Sequence, residues 1–252
     1  MPQTKIVFFD IDGTLIDMQA KKITPKMLET LHRLQDRGIK ICIATGRSPM
    51  VLPKIDGVAF DAYLTFNGSL CYDRKGVIFS NSIPHKDVVR FIQNAAALGR
   101  PVCVSTRGRL AANGTDTDLT DYFFIANEPV PVADDFDAVC AEDIYQLMLG
   151  CRPKDYPALL DGAPGAKIAA WWDRAVDVIP AGGGKGIGIE KMLAYYGLDK
   201  AEALAFGDGN NDREMLQAVG TGVAMENGSP ELKALADEIC GPVYEDGIYH
   251  YC

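Results

Sequence analysis

Ile6-Val-Phe-Phe9 is apolar at every position, and the run stops at once in Asp10-Ile-Asp12-Gly13. A strand exposed on one face alternates apolar and polar residues. An unbroken apolar run ended by a turn therefore points to a strand covered on both faces, the habit of parallel sheets in α/β proteins. The same pattern recurs in Ile39-Lys-Ile-Cys-Ile-Ala-Thr-Gly-Arg47 and in Ala203-Leu-Ala-Phe-Gly-Asp208-Gly-Asn-Asn-Asp212. Between the first two runs, Thr24-Pro25 reads as an N-cap with proline at the first helical position. Met27, Leu28, Leu31 and Leu34 then repeat at helical spacing up to Gly38. The chain thus opens as strand-helix-strand, the repeating unit of an open α/β sheet.

Open α/β sheets bind ligands beyond the carboxyl ends of their strands, so the residues at those ends carry the chemistry. The first run ends in Asp10 and Asp12, the second in Thr45 and Gly46, the last in Asp208, Asn211 and Asp212. Paired acids suit a hard divalent cation and can divide nucleophile and acid/base roles. A hydroxyl and free backbone N–H groups suit phosphate oxygens. The loop Gly182-Gly-Gly-Lys185-Gly delivers a lysine to the start of the helical pattern Ile187 to Tyr196, where positive charge and helix dipole reinforce one another. Any one of these turns alone is an ordinary acidic or glycine-rich loop; their order along one chain carries the weight.

In that order they resemble the haloacid dehalogenase superfamily of phosphohydrolases. Asn67-Gly68 after a third strand, the Gly-Asp-x-x-Asn-Asp form of the last motif and Glu245-Asp-Gly near the C-terminus are similar to its Cof-type branch, subfamily IIB. The resemblance implies an α/β fold with a Rossmann-like core and parallel sheet, residues 1–83 and 182–252. A smaller α+β cap of the second type, residues 84–181, is inserted between the second and third motifs to close over the site. It implies Asp10 as nucleophile, forming an aspartyl-phosphate, and Asp12 as general acid and base. Mg²⁺ is expected on the Asp10 and Asp208 carboxylates and the Asp12 backbone carbonyl, with Asp212 behind them. Thr45, the Gly46 amide, Lys185 and Asn211 are expected to bind the phosphoryl group. Arg47 and Asn67, beside motifs on strand-end loops, are candidates for substrate specificity. The expected substrate is a small phosphorylated metabolite, sugar phosphates first. A mutase that passes phosphate between sugar positions, and a noncatalytic phosphate-binding regulator, are the alternatives on the same fold.

Composition supports an enzyme of this kind. With 252 residues, 48% of them hydrophobic, the chain is long enough for one large domain or two modest ones. A formal net charge of −9 argues against nucleic acid or an anionic membrane as partner. The seven cysteines form no Cys-x-x-Cys pair, and with no leading signal segment the chain is expected to work reduced in the cytoplasm. Residues 69–72 and 77–79 read as a hairpin. The insert reads as a helix over 84–98, short strands near 101–105 and 144–149, a short helix near 154–160, and strands at 167–172 and 176–179. Its Asp-rich stretch 116–121 reads as a solvated loop. Trp171 and Trp172 read as core packing, with one of them inward by strand alternation.

Rival motifs fail on spacing. A Walker loop requires glycine six positions before Lys185 and Ser or Thr after it, where Ile179 and Gly186 stand. An EF-hand and a dinucleotide fingerprint are likewise absent. Cys103-x5-Arg109 has the spacing of cysteine-dependent phosphatases, but no anion-cradling helix follows it.

Overall fold

The structure, a computed structural model, describes residues 3–125, 127–170 and 172–252. Strands β1 (Ile6–Phe9), β2 (Lys40–Ala44), β3 (Ala62–Thr65), β4 (Leu70–Asp73) and β5 (Gly76–Ser80) come first in the chain. The strands β6 (Cys103–Ser105), β7 (Leu110–Ala112), β8 (Gln146–Gly150), β9 (Ala166–Ala169) and β10 (Ala175–Pro180) follow, and then β11 (Ala203–Gly207), β12 (Thr221–Met225) and β13 (Glu238–Cys240). Among the described residues these form two sheets. One runs β13-β12-β11-β1-β2-β3-β4-β5 and the other β7-β6-β8-β10-β9. Two compact units result. The first holds the described residues up to Gly46, Pro53–Ser80 and Gly184–Cys252; the second holds Arg47–Leu52 and Asn81–Gly183.

In the first unit every pairing from β13 across to β3 is parallel, and β3, β4 and β5 continue as an antiparallel meander. The sheet is therefore mixed, its parallel part ending in the hairpin read at 69–79. The parallel strands are dry on both faces: β1 is buried throughout, and so is β11. Phe9 and Phe206 lie opposite one another in register, their rings stacked at 5.5 Å. Burying each such side chain is worth roughly 1.5–3 kcal/mol. That pair anchors the two strand ends from which Asp10 and Asp208 emerge.

The helix Pro25–Asp36 starts where its cap predicts: the Thr24 side chain accepts from the Met27 N–H. Its buried Met27, Leu31 and Leu34 form one stripe. The Thr24 hydroxyl also donates to Asp246 at 2.6 Å, tying the C-terminal Glu-Asp-Gly turn to this helix start.

The second unit packs helices on both faces of its antiparallel sheet. Val104, Leu147, Leu149, Val176 and Val178 face Val88 and Phe91 of the helix His85–Ala97 and Leu159 of the helix Tyr156–Leu160. Cys103, Ala112 and Met148 on the other face meet Leu119 and Phe123. Those last two belong to a helix, Thr117–Ile125, which corrects the reading of 116–121 as a loop. Asp116 accepts from the Leu119 N–H at 2.8 Å, while Asp118 is held by Arg100 and Arg152. The acids cap and pair the helix, and Leu119 and Phe123, four apart, seat it. Trp172 lies under the Arg174 guanidinium at 4.3 Å; Trp171 is outside the described residues.

Candidate active site

Strand order reverses between β1 and β11: β1 leads to β2 on one side, while β11 lies on the other. That switch point opens a crevice at the carboxyl ends. Asp10 and Asp208 stand there on adjacent strand ends, and the Asp10 N–H donates to Phe206 O at 3.0 Å. Lys185 is the first residue of the helix Lys185–Tyr196, and its side chain is wholly buried. Its ammonium donates to Asp10 Oδ1 at 2.6 Å and to Asp212 Oδ1 at 2.5 Å. An ammonium has three donors, so one remains for a ligand. Asp212 is fully engaged: its Oδ2 accepts the N–H groups of Asp208 and Gly209 at 3.0 and 2.9 Å. It holds the Asp208 loop and the lysine rather than offering oxygens outward.

Asp10, Asp208 and Asp212 each bring a carboxylate oxygen within 4.8 Å of the others. Three acids thus surround one ammonium. Burial pushes the Asp10 carboxyl up to about 7 against the pull of Lys185, with Asp212 and Asp12 adding to the rise. Burial and the charges of Asp10 and Asp212 push Asp208 up to about 8. Burial would strip the Lys185 proton, but Asp10 and Asp212 outweigh it and hold the ammonium above its ordinary range. Carboxylates raised by burial in this way regain their charge when a cation lies beside them. An all-oxygen donor set of this kind fits a hard divalent cation such as Mg²⁺, so the residues present fit the ion.

Two more strand ends converge on the cluster. Thr45, directly after β2, is 1% exposed. Its N–H donates to Leu64 O at 2.9 Å and its carbonyl accepts from the Asn67 N–H at 3.0 Å. Asn67 is equally buried, and its Oδ1 accepts from Asn211 Nδ2 at 3.0 Å. Phe66, Asn67 and Gly68 run left-handed in succession, with φ of 52°, 50° and 93°. Such a conformation costs about 1–3 kcal/mol at a non-glycine residue. A Cβ on Gly68 would strike the carbonyl of Gly184, so only glycine lets this turn meet the start of the lysine helix. Gly46 continues the Thr45 loop. Arg47 belongs to the second unit, where its guanidinium donates to Val51 O at 3.0 Å. Asp12 stands in the turn after β1, where it forms an isolated bridge with Ile16.

Three contacts had no signal strong enough to be read from sequence. The Thr14 hydroxyl donates to Asp208 Oδ1 at 2.7 Å. Asn227 Nδ2 donates to Gly13 O at 2.8 Å, and Ser229 Oγ donates to Asn210 Oδ1 at 2.8 Å. The loop after β12 thereby holds both acid-bearing loops. Thr14 directly follows Asp-x-Asp-Gly, an adjacency that is its one signal in the sequence; Asn227 sits in a segment with no motif of its own. The rival nucleophile has no such setting: Cys103 lies fully buried within β6, and burial pushes its thiol up.

Comparison with known proteins shows the family. Residues 7–252 match the family described as haloacid dehalogenase-like hydrolase. The protein named Putative phosphatase YkrA, from Bacillus subtilis (strain 168), is 34% identical over 247 residues, covering 97% of this chain and 95% of the relative. The 5-amino-6-(5-phospho-D-ribitylamino)uracil phosphatase YitU of the same organism is 28% identical, covering 98% and 95%. The solved structure of the subclass IIB sugar phosphatase BT4131 superposes with a TM-score of 0.88 at 29% identity, covering 98% of this chain and 97% of that one. The chain belongs to the haloacid dehalogenase-like hydrolase family, in its Cof-type phosphatase branch.

Proposed function

We propose that the protein is a Mg²⁺-dependent phosphohydrolase acting on phosphate monoesters of small metabolites, sugar phosphates first, through an aspartyl-phosphate on Asp10. The observation that carries this reading is the buried cluster at the β1/β11 switch point, where Asp10 and Asp208 lie beside Lys185 with too little positive charge. A bound Mg²⁺, held by the Asp10 and Asp208 carboxylates and the Asp12 carbonyl, supplies charge neutralisation at the phosphoryl oxygens.

The remaining chemistry belongs to the chain. Lys185 fixes the Asp10 carboxylate through Oδ1. A carboxylate oxygen of Asp10 forms a bond to phosphorus as the ester P–O bond breaks, and Asp12 gives its proton to the leaving oxygen. Asp12 then takes a proton from water, whose oxygen attacks phosphorus. The Asp10–phosphorus bond breaks, releasing inorganic phosphate and restoring the carboxylate. Thr45, the Gly46 N–H, the third Lys185 donor and the Asn211 amide stabilise the charge on the transferring group.

We assign substrate choice to the inserted unit. It carries an open groove lined by Thr106, Arg107, Gly108, Arg109, Glu142 and Asp143, and BT4131 and YitU, both similar over nearly their whole lengths, are named for different phosphorylated substrates. Phosphate release across a panel of phosphorylated metabolites, with Mg²⁺ and with chelator, tests the reading, and Asp10→Asn serves as the blank. Release that requires Mg²⁺ and vanishes in Asp10→Asn is expected. A flat panel would sink the small-metabolite reading, and isomer formation without phosphate release would indicate the mutase.

A further inference from the structure

The left-handed turn Phe66-Asn67-Gly68 touches each element expected to hold the phosphoryl group. The geometry points to Asn67 as a positioning residue: it orients the Asn211 amide and the Thr45 loop, and it takes no substrate contact of its own. This inference rests on the phosphatase reading and deepens it.

Asn67 joins Thr45 and Asn211 through different atoms. Its backbone N–H goes to Thr45 O at 3.0 Å, while Thr45 N–H is already tied to Leu64 O on the strand leading into the turn. Both backbone groups of Thr45 are therefore fixed by one stretch of chain. Its side chain offers Oδ1 to Asn211 Nδ2 at 3.0 Å. An acceptor at that point selects the nitrogen edge of the Asn211 amide, because the carboxamide has one donating and one accepting end. The second N–H of that same nitrogen stays available for an anion. Were the amide reversed, it would turn an oxygen toward phosphate. Gly68, next in the turn, lies against the Gly184 carbonyl at the entry to the lysine helix.

Backbone strain supports the assignment. Asparagine adopts positive φ readily, but a phenylalanine there is uncommon because bulky side chains avoid that region. Strain of this sort persists where the surroundings over-determine it, and it collects at functional sites. Phe66 is fully buried, and Ser69 N–H closes the turn onto Phe66 O at 3.1 Å. The strained backbone directs the Asn67 amide across to a loop 144 positions away in sequence.

The test uses Asn67→Gly, which keeps the left-handed backbone accessible and removes only the amide. Inorganic phosphate binding in the presence of Mg²⁺ is measured by calorimetry, alongside kcat/KM on the best panel substrate, Mg²⁺ affinity and melting temperature. Phosphate affinity and kcat/KM are expected to fall about tenfold, the effect of one misaligned hydrogen bond to an anion, with Mg²⁺ affinity unchanged. Asn211→Ala should give a similar loss, and the double variant should be no worse than Asn211→Ala alone, since Asn67 acts through Asn211. Losses that multiply in the double variant would overturn the inference, as would undiminished phosphate binding in Asn67→Gly. A fall in Mg²⁺ affinity matching the fall in phosphate affinity would show general loosening and overturn it too. If the unsubstituted protein with Mg²⁺ binds no phosphate, the phosphatase reading itself fails and takes this inference with it.

Discussion

Two acid clusters, one in each unit, are neutralised to opposite degrees. In the insert, Asp116 and Asp118 pair with Arg100, Asp118 also with Arg152, Asp121 with Arg174 and Asp135 with Arg109. Each of these four acids has a guanidinium, and hydrogen bonds from Arg152 and Arg109 hold the Asp118 and Asp135 carboxyls below their ordinary range. At the β1/β11 switch point, among the described residues, Asp10 and Asp212 share Lys185 while Asp208 lies within 4.8 Å of both, and burial drives Asp10 and Asp208 up. Matched acids stabilise a fold and ask for nothing more. Unmatched buried acids mark where a cation is needed, at a cost to stability without it.

The contrast breaks most severely at Lys185. Lys185→Met leaves Asp10 and Asp212 buried without a counter-charge, and removing one partner of a buried pair costs about 3–5 kcal/mol. Denaturant unfolding in chelator should show that loss, with phosphate release reduced at least about 100-fold. A variant as stable as the original would mean that Lys185 does not neutralise Asp10 and Asp212 in the folded protein.

The pH dependence of the metal-free protein sharpens the contrast. Asp10 and Asp208 have folded values above their unfolded ones, so the folded state binds more protons between about pH 4 and pH 8. Stability in chelator should therefore fall as pH rises through that window. The lowered insert acids act in the opposite sense and only in strong acid, where protonation of Asp118 and Asp135 removes their contribution. Melting in chelator at stepped pH checks this: Asp208→Asn should flatten the decline, and a decline of unchanged slope in that variant would assign it elsewhere.

The smallest effect is expected in the insert. Asp118→Asn loosens the bridge between Arg100 and Arg152, whose side chains are 28% and 35% exposed, so the loss should be about 1 kcal/mol or less and shrink with salt. Thermal melts at low and high salt would measure it, with Mg²⁺ binding unchanged.

Sequence and structure agree best where burial is two-sided. The runs at 6–9, 41–44 and 203–206 lack polar breaks because both faces of those strands are dry, and their ends could be read directly as Asp10, Thr45 and Asp208. Thr24 showed its cap because the bond to Met27 is local. Asp116 to Asp121 misled because Arg100 and Arg152, which neutralise that helix, lie outside the segment. The left-handed Phe66 has no local signature, since phenylalanine ordinarily avoids that conformation and only packing holds it there. Asn227 stayed unread for a similar reason: its bond to Gly13 spans 214 positions.

The most direct test of the unmatched acids is calorimetric titration of Mg²⁺ into chelator-stripped protein near pH 7, in buffers of different protonation enthalpy. Binding with proton release, abolished by Asp208→Asn and retained by Asp118→Asn, is the predicted result. Absence of binding, or binding that survives Asp208→Asn unchanged, would contradict the claim that Asp10 and Asp208 are held in wait for a cation.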